Sequence, residues 1–324
     1  MPLPSLHGIL AGKNPLSAHN PHAMMAVMRK VIQVARNAPM LVASGKQPGW
    51  LEIWDTNTCE KLIGFHTVYD DCARFAINPT GNRVVAANWR KGPKGGVACY
   101  DTTTGEVVWH RTDLRQIQHM QFSSARNCVW CEVDSRPVHC LDAKTGSTLK
   151  TLRAVQDAVD SPYSPHMILL REGNFAIATQ NESFSVPRLC RSGLMAAFSP
   201  DAVCVCEAFN PTIRPVATVQ GIVRCIELNS GNERWRYQPP INHFMQLISY
   251  QDDQFYCVQS ESLPDGWTVS LVRLSPDSGI GTELCRLSPP PYFGGFGSGV
   301  LITPEGDVVS LQTGGVISKL AFAD

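Results

Sequence analysis

Cys128-Val-Trp-Cys131 has the C-x-x-C spacing from which redox pairs and half of a zinc site are built. It lies inside a strand-like run, where residues three apart point to opposite faces, so the two sulfurs do not converge. No second C-x-x-C completes a set of four, and the pair reads as core packing. His19-Asn-Pro-His22 offers two imidazoles on a leader and reads as surface loop. Gly294-Gly-Phe-Gly-Ser-Gly299 lacks the lysine and the following helix of a phosphate loop and reads as a tight turn. Asp70-Asp71 and Asp252-Asp253 fall at loop tips, where solvated charge is the default. No H-E-x-x-H, G-x-S-x-G, Walker or kinase pattern is present. The expectation is a protein without cofactor, metal or catalysis of its own.

Lys and Arg total 28 and so do Asp and Glu, which leaves no net charge to draw the chain to nucleic acid or an anionic membrane. No run approaches the roughly twenty apolar residues of a membrane-spanning helix. Of the 12 cysteines, several sit on apolar strand-like runs (Cys99, Cys204, Cys206), where cysteine acts as a small hydrophobe. Met1-Pro-Leu-Pro-Ser-Leu-His has no basic secretory leader, so reduced thiols in the cytoplasm are expected. Arg90, Lys91 and Lys94 form a local basic group without aromatic–basic interleaving, which favours a solvated loop or protein contact over nucleic acid.

These residues are positioned by a repeated hairpin. Gly96–Trp109 reads as strand, tight turn, strand, with Asp101 accepting from turn amides and Gly105 supplying a positive φ. The grammar recurs at Asp142-Ala-Lys-Thr-Gly146, at Glu227-Leu-Asn-Ser-Gly231 running on to Trp235, and at Asp55-Thr-Asn-Thr-Cys59. A hairpin returning at about forty to fifty residues is the signature of a β-propeller blade.

Asp101, Thr104, Gly105 and Trp109 together resemble the repeat of quinoprotein-type propellers. Phe75-Ala-Ile-Asn-Pro-Thr-Gly81, Phe198-Ser-Pro-Asp201 and the Trp54-Asp55 pair are similar to WD-repeat proteins. The likeness implies that the Asp-to-Trp repeat is structural and locks neighbouring blades. In quinoproteins it also implies an axial cofactor with a metal. Lys150 replaces the Trp in one repeat, and Glu227 and Ser230 replace Asp and Thr in another, which sets the redox reading aside.

The chain reads as a single all-β propeller over 1–324, with a leader over 1–25 and blades over 26–324. Seven blades are favoured and six are the alternative, because the interval from Gly173 to Asp201 is short. The fourth blade takes Met167–Arg171, Phe175–Gln180 and Phe184–Leu189 and lacks a fourth strand. An N-terminal strand within Ser5–Ala11 completes the last blade and covers its edge. Three second-to-third-strand connections are irregular: 89–95, 209–220 and 261–267. Their Trp89, Arg90, Lys94, Phe209, Ile213, Arg214 and Trp267 are the expected anchors for another protein, since Trp, Arg and large apolar side chains dominate interface energies. The degenerate repeats favour a cytosolic binder that caps a partner, such as an immunity protein against a bacterial toxin. A WD-type scaffold is the alternative, and an oxidoreductase or small-ligand sensor using the pore stands behind it.

Overall fold

The computed structural model describes residues 9–10, 32–45, 47–69, 74–88, 95–123, 125–133, 136–179, 181–189, 194–207, 221–240, 243–263, 266–287, 293–294, 297–298, 300–303, 306–311 and 317–320. Among them there is no helix, and the strands form seven four-stranded antiparallel sheets and one short hairpin, Phe293–Gly294 with Gly297–Ser298. The chain divides into two compact units.

The unit of Pro4–Asp157 and Tyr292–Asp324 holds four sheets. The 32–66 sheet is Ile32–Val34, Met40–Ser44, Trp50–Asp55 and Lys61–His66. The 74–111 sheet is Arg74–Ile77, Arg83–Asn88, Gly96–Asp101 and Val107–Arg111. The 117–152 sheet is Ile117–Phe122, Cys128–Val133, Arg136–Asp142 and Thr148–Leu152. The 300–320 sheet is Val300–Ile302, Val308–Leu311 and Ile317–Leu320, and its outer strand is Ile9–Leu10, paired Ile9 to Ser318 and Leu10 to Ile317. The N-terminal strand thus completes the last sheet, as the apolar leader suggested, and covers an edge that would otherwise offer unpaired backbone.

The unit of Ala158–Pro291 with Met1–Leu3 holds three sheets. They are Asp157–Asp160, Met167–Leu170, Asn174–Ala178 and Ser183–Pro187; then Leu194–Phe198, Ala202–Glu207, Ile222–Glu227 and Glu233–Tyr237; then His243–Gln251, Gln254–Leu263, Gly266–Leu274 and Gly281–Leu287. The thin fourth blade expected from the sequence is corrected here. Its missing strand precedes Met167 as Asp157–Asp160, so the Gly173 turn joins the second and third strands, not the first and second. The short Gly173–Asp201 interval therefore compares two different turns.

The second strands explain the core. Val84–Ala87 and Ala202–Cys206 are buried on both faces, because neighbouring sheets cover each side. Strands buried on both faces are near-continuous hydrophobic runs, not alternating ones. The small side chains Ala, Val and Cys keep such stacked sheets close.

Candidate functional site

The repeated turn is built as its residues require. Asp101 Oδ1 accepts from the amides of Thr103 at 2.8 Å and Thr104 at 3.3 Å, and Asp142 does the same for Lys144 at 2.9 Å and Thr145 at 2.8 Å. The Thr103 hydroxyl and amide hold the Asp101 carboxyl down to about 2, and Arg83 adds an ion pair. Gly146 closes its turn at φ +70°, and a Cβ there would lie 2.6 Å from the Trp109 ring. The ring lies on that glycine, and its Nε1 donates to Ala143 O at 2.9 Å. Trp235 repeats the arrangement on Gly279, donating to Pro276 O at 2.7 Å. Phe65 on Gly105 and Phe184 on Gly231 make the same joint without the hydrogen bond. In four of the seven sheets the outer strand is thus fastened to the next sheet's turn, the structural role that the resemblance implied for Trp109.

In these four-stranded meanders the first and third turns share one end of a sheet, and the second connection leaves from the other. At that second end the 194–237 sheet carries a buried ionic cluster. Glu207 is 1% exposed and Arg224 8%. Arg224 Nη1 donates to Glu207 Oε1 at 3.0 Å and to Pro187 O at 2.9 Å, and its Nε donates to Glu233 Oε2 at 2.7 Å. Glu207 Oε2 accepts from the Leu189 amide at 2.5 Å. Burial raises the Glu233 carboxyl, but bonds from Arg236 and Arg224 outweigh it, and its pKa is lowered. The cluster therefore fixes both roots of the 208–220 connection and ties them to the connection leaving the preceding sheet.

Trp89, Arg90, Lys94, Phe209, Ile213 and Arg214 lie outside the described residues. Trp267 is corrected: it belongs to the strand Gly266–Leu274, opposite Ser262, and the connection expected over 261–267 shrinks to residues 264–265. Backbone pairing carries the two strands out to Leu263 and Gly266, past the residues that read as a loop.

Sequence reasoning missed an ionisable group spread over four first or second strands: Arg74, His119, Glu132 and Asp157. His119 Nδ1 lies 3.1 Å from Asp157 Oδ1, and Arg74 Nε donates to Gln118 O at 2.5 Å. Glu132 stands opposite His119 in the register. Burial, with Asp157 nearby, pushes the Glu132 carboxyl up to about 7, and Asp157 raises the His119 imidazole. No spacing along the chain announces residues so far apart. Among the described residues no three His, Cys, Asp or Glu side chains are placed to hold a metal. Of the ten described cysteines, nine are buried. Cys128 and Cys131 are among those nine, and burial pushes the Cys131 thiol well above its ordinary range, away from nucleophile chemistry.

A folded-state carboxyl with a raised pKa binds its proton more tightly than the unfolded chain does. Its contribution is therefore present below the unfolded value near 4.5 and is lost as pH rises towards 7. The His119 shift has the same sign. Stability should fall between pH 5 and pH 8, and Glu132→Gln should remove much of the slope, being more stable than the wild type by about 2 kcal/mol at pH 8. Urea melts across that range check this, and parallel pH profiles for the two proteins would refute it.

No protein-family model matches the chain, and no curated protein does. Solved structures do. U3-55K is similar with a TM-score of 0.66 at 11% identity, over 96% of this chain and 98% of that one. The β-propeller domain of Myceliophteria thermophila Cps50 (Swd1) is similar with a TM-score of 0.64 at 12% identity, over 91% and 97%. BamB from Moraxella catarrhalis is similar with a TM-score of 0.56 at 13% identity, over 90% and 84%. The chain is a β-propeller. Its likeness runs to both WD-type and quinoprotein-like propellers, as the mixed repeat implied. At these identities the likeness establishes the propeller fold and nothing about activity.

Proposed function

We propose that this propeller is a non-catalytic protein-binding module of the cytoplasm, using the end of its sheets from which the second connections leave. The observation that carries the reading is the buried Arg224–Glu207 pair. Removing two charges from water is costly and is repaid only by good geometry and further hydrogen bonds. Here those bonds go to the strands on either side of residues 208–220 and to the residues that end and follow the preceding sheet, and they hold those strand ends in place. A scaffold that fixes the ends of its connections reduces the freedom lost on binding. U3-55K and Swd1, both at comparable TM-scores, lend the fold-level analogy. The finer reading is a propeller that caps one partner, such as a toxin domain. It rests on the degenerate repeats and on the many cysteines buried within strands, and the gene neighbouring this one tests it.

Alanine substitutions test the face. Trp89→Ala, Arg90→Ala, Phe209→Ala and Arg214→Ala should include losses of about 2 kcal/mol or more in binding, roughly thirtyfold, with melting temperatures little changed. Asn82→Ala, on a first turn at the other end, should leave binding unchanged. Calorimetry with the partner captured from the native host gives the answer, and the opposite pattern sinks the site. A second reading, a small-ligand sensor, draws on the Arg74, His119, Glu132 and Asp157 group, since propeller channels are lined by first strands. A ligand whose binding is unaffected by Glu132→Gln would remove that support.

A further inference from the structure

We propose that Tyr163, Tyr250 and Asp253, with Asp201 beside them, form a docking corner for an arginine side chain of a protein partner. This corner lies at the opposite end of the sheets from the loops above and does not depend on that reading. Tyr163 sits in the turn after Asp157–Asp160 and is 42% exposed. Its ring meets that of Tyr250 at 84°, with centroids 5.7 Å apart, so two aromatic walls stand at right angles. Tyr250 is fixed from behind by Phe255, which lies at 4.8 Å and is itself buried. Its hydroxyl donates to Asp253 Oδ1 at 3.0 Å.

Charge around this corner is unbalanced. Asp201 lies close enough to act on the Tyr250 hydroxyl and already holds Arg234 Nη2 at 2.8 Å, an arginine of the chain's own beside the same corner. Among the described residues no cation stands within ion-pair distance of Asp252 or Asp253. Both lie at positive φ, +48° and +54°, in the two-residue turn between His243–Gln251 and Gln254–Leu263. A flat guanidinium can stack on a tyrosine face while donating in its own plane to a carboxylate. An ammonium uses the second contact but not the first in that way, so arginine is the side chain the corner favours. Burial and the Asp253 bond push the Tyr250 hydroxyl up to about 12, which keeps the ring neutral.

The probe is the capped tripeptide acetyl-Gly-Arg-Gly-amide, titrated into the full chain and followed by backbone amide shifts. Saturable shifts should appear at 161–166 and 251–254, with lysine in place of arginine binding more weakly and glutamate not binding. Tyr163→Ser, at an exposed position, should weaken the arginine peptide about threefold to fivefold without altering the melt. Absence of saturable shifts, equal binding of the lysine or glutamate peptide, or unchanged affinity in Tyr163→Ser would each overturn the proposal.

Discussion

Trp109→Ala should destabilise the protein by about 3–5 kcal/mol, the largest effect expected of any single side chain here. The ring is 8% exposed, fills the space over Gly146 and donates to Ala143 O, so its removal leaves a void and an unmatched carbonyl together. Trp109→Phe keeps most of the volume and should cost distinctly less. Gly146→Val attacks the same joint from the other side, placing a Cβ against the ring on a backbone that disfavours it. Urea melts of these three variants should rank them that way. If Trp109→Ala costs no more than a surface substitution, the joint between sheets is not what holds the larger unit.

Breaking the buried ionic cluster should cost nearly as much. Glu207→Ala leaves Arg224, 8% exposed, with Glu233 as its remaining carboxylate, and about 3 kcal/mol, the lower end of what breaking a buried pair costs, is expected. Arg224→Ala removes the guanidinium from Glu207, which is 1% exposed, and should cost a similar amount. The double variant Glu207→Leu with Arg224→Met removes both charges and should be more stable than either single one. Its stability is then recovered but its loop roots are not, so partner binding should stay weak. Additive losses in the double variant would show that the two side chains act independently.

How far the chain could be read beforehand depended on whether a residue's role is local. Asp101, Asp142, Gly105 and Gly146 act within their own turns, and the turn chemistry identified them. The N-terminal strand was visible as a short apolar run whose pairing a propeller needs. Asp157–Asp160 carries no strand pattern in the sequence, having two aspartates in four residues, and its place is set by the sheet it enters. Trp267 reads as a loop residue because Pro264-Asp265-Gly266 punctuates the sequence, whereas cross-strand pairing from Leu263 to Gly266 keeps the strands running. Phe65 and Phe184 do the work of Trp109 without its indole, so no repeat of residue type revealed them. The same holds for Tyr163 and Tyr250, which only the fold brings together.

Hydrogen exchange of the chain with and without its captured partner tests the central claim most directly. Binding through the second-connection end predicts slowed exchange at 89–95 and 208–220 and at the strand ends beside Glu207. Protection confined to the turns at the opposite end, or found at neither end, would contradict it.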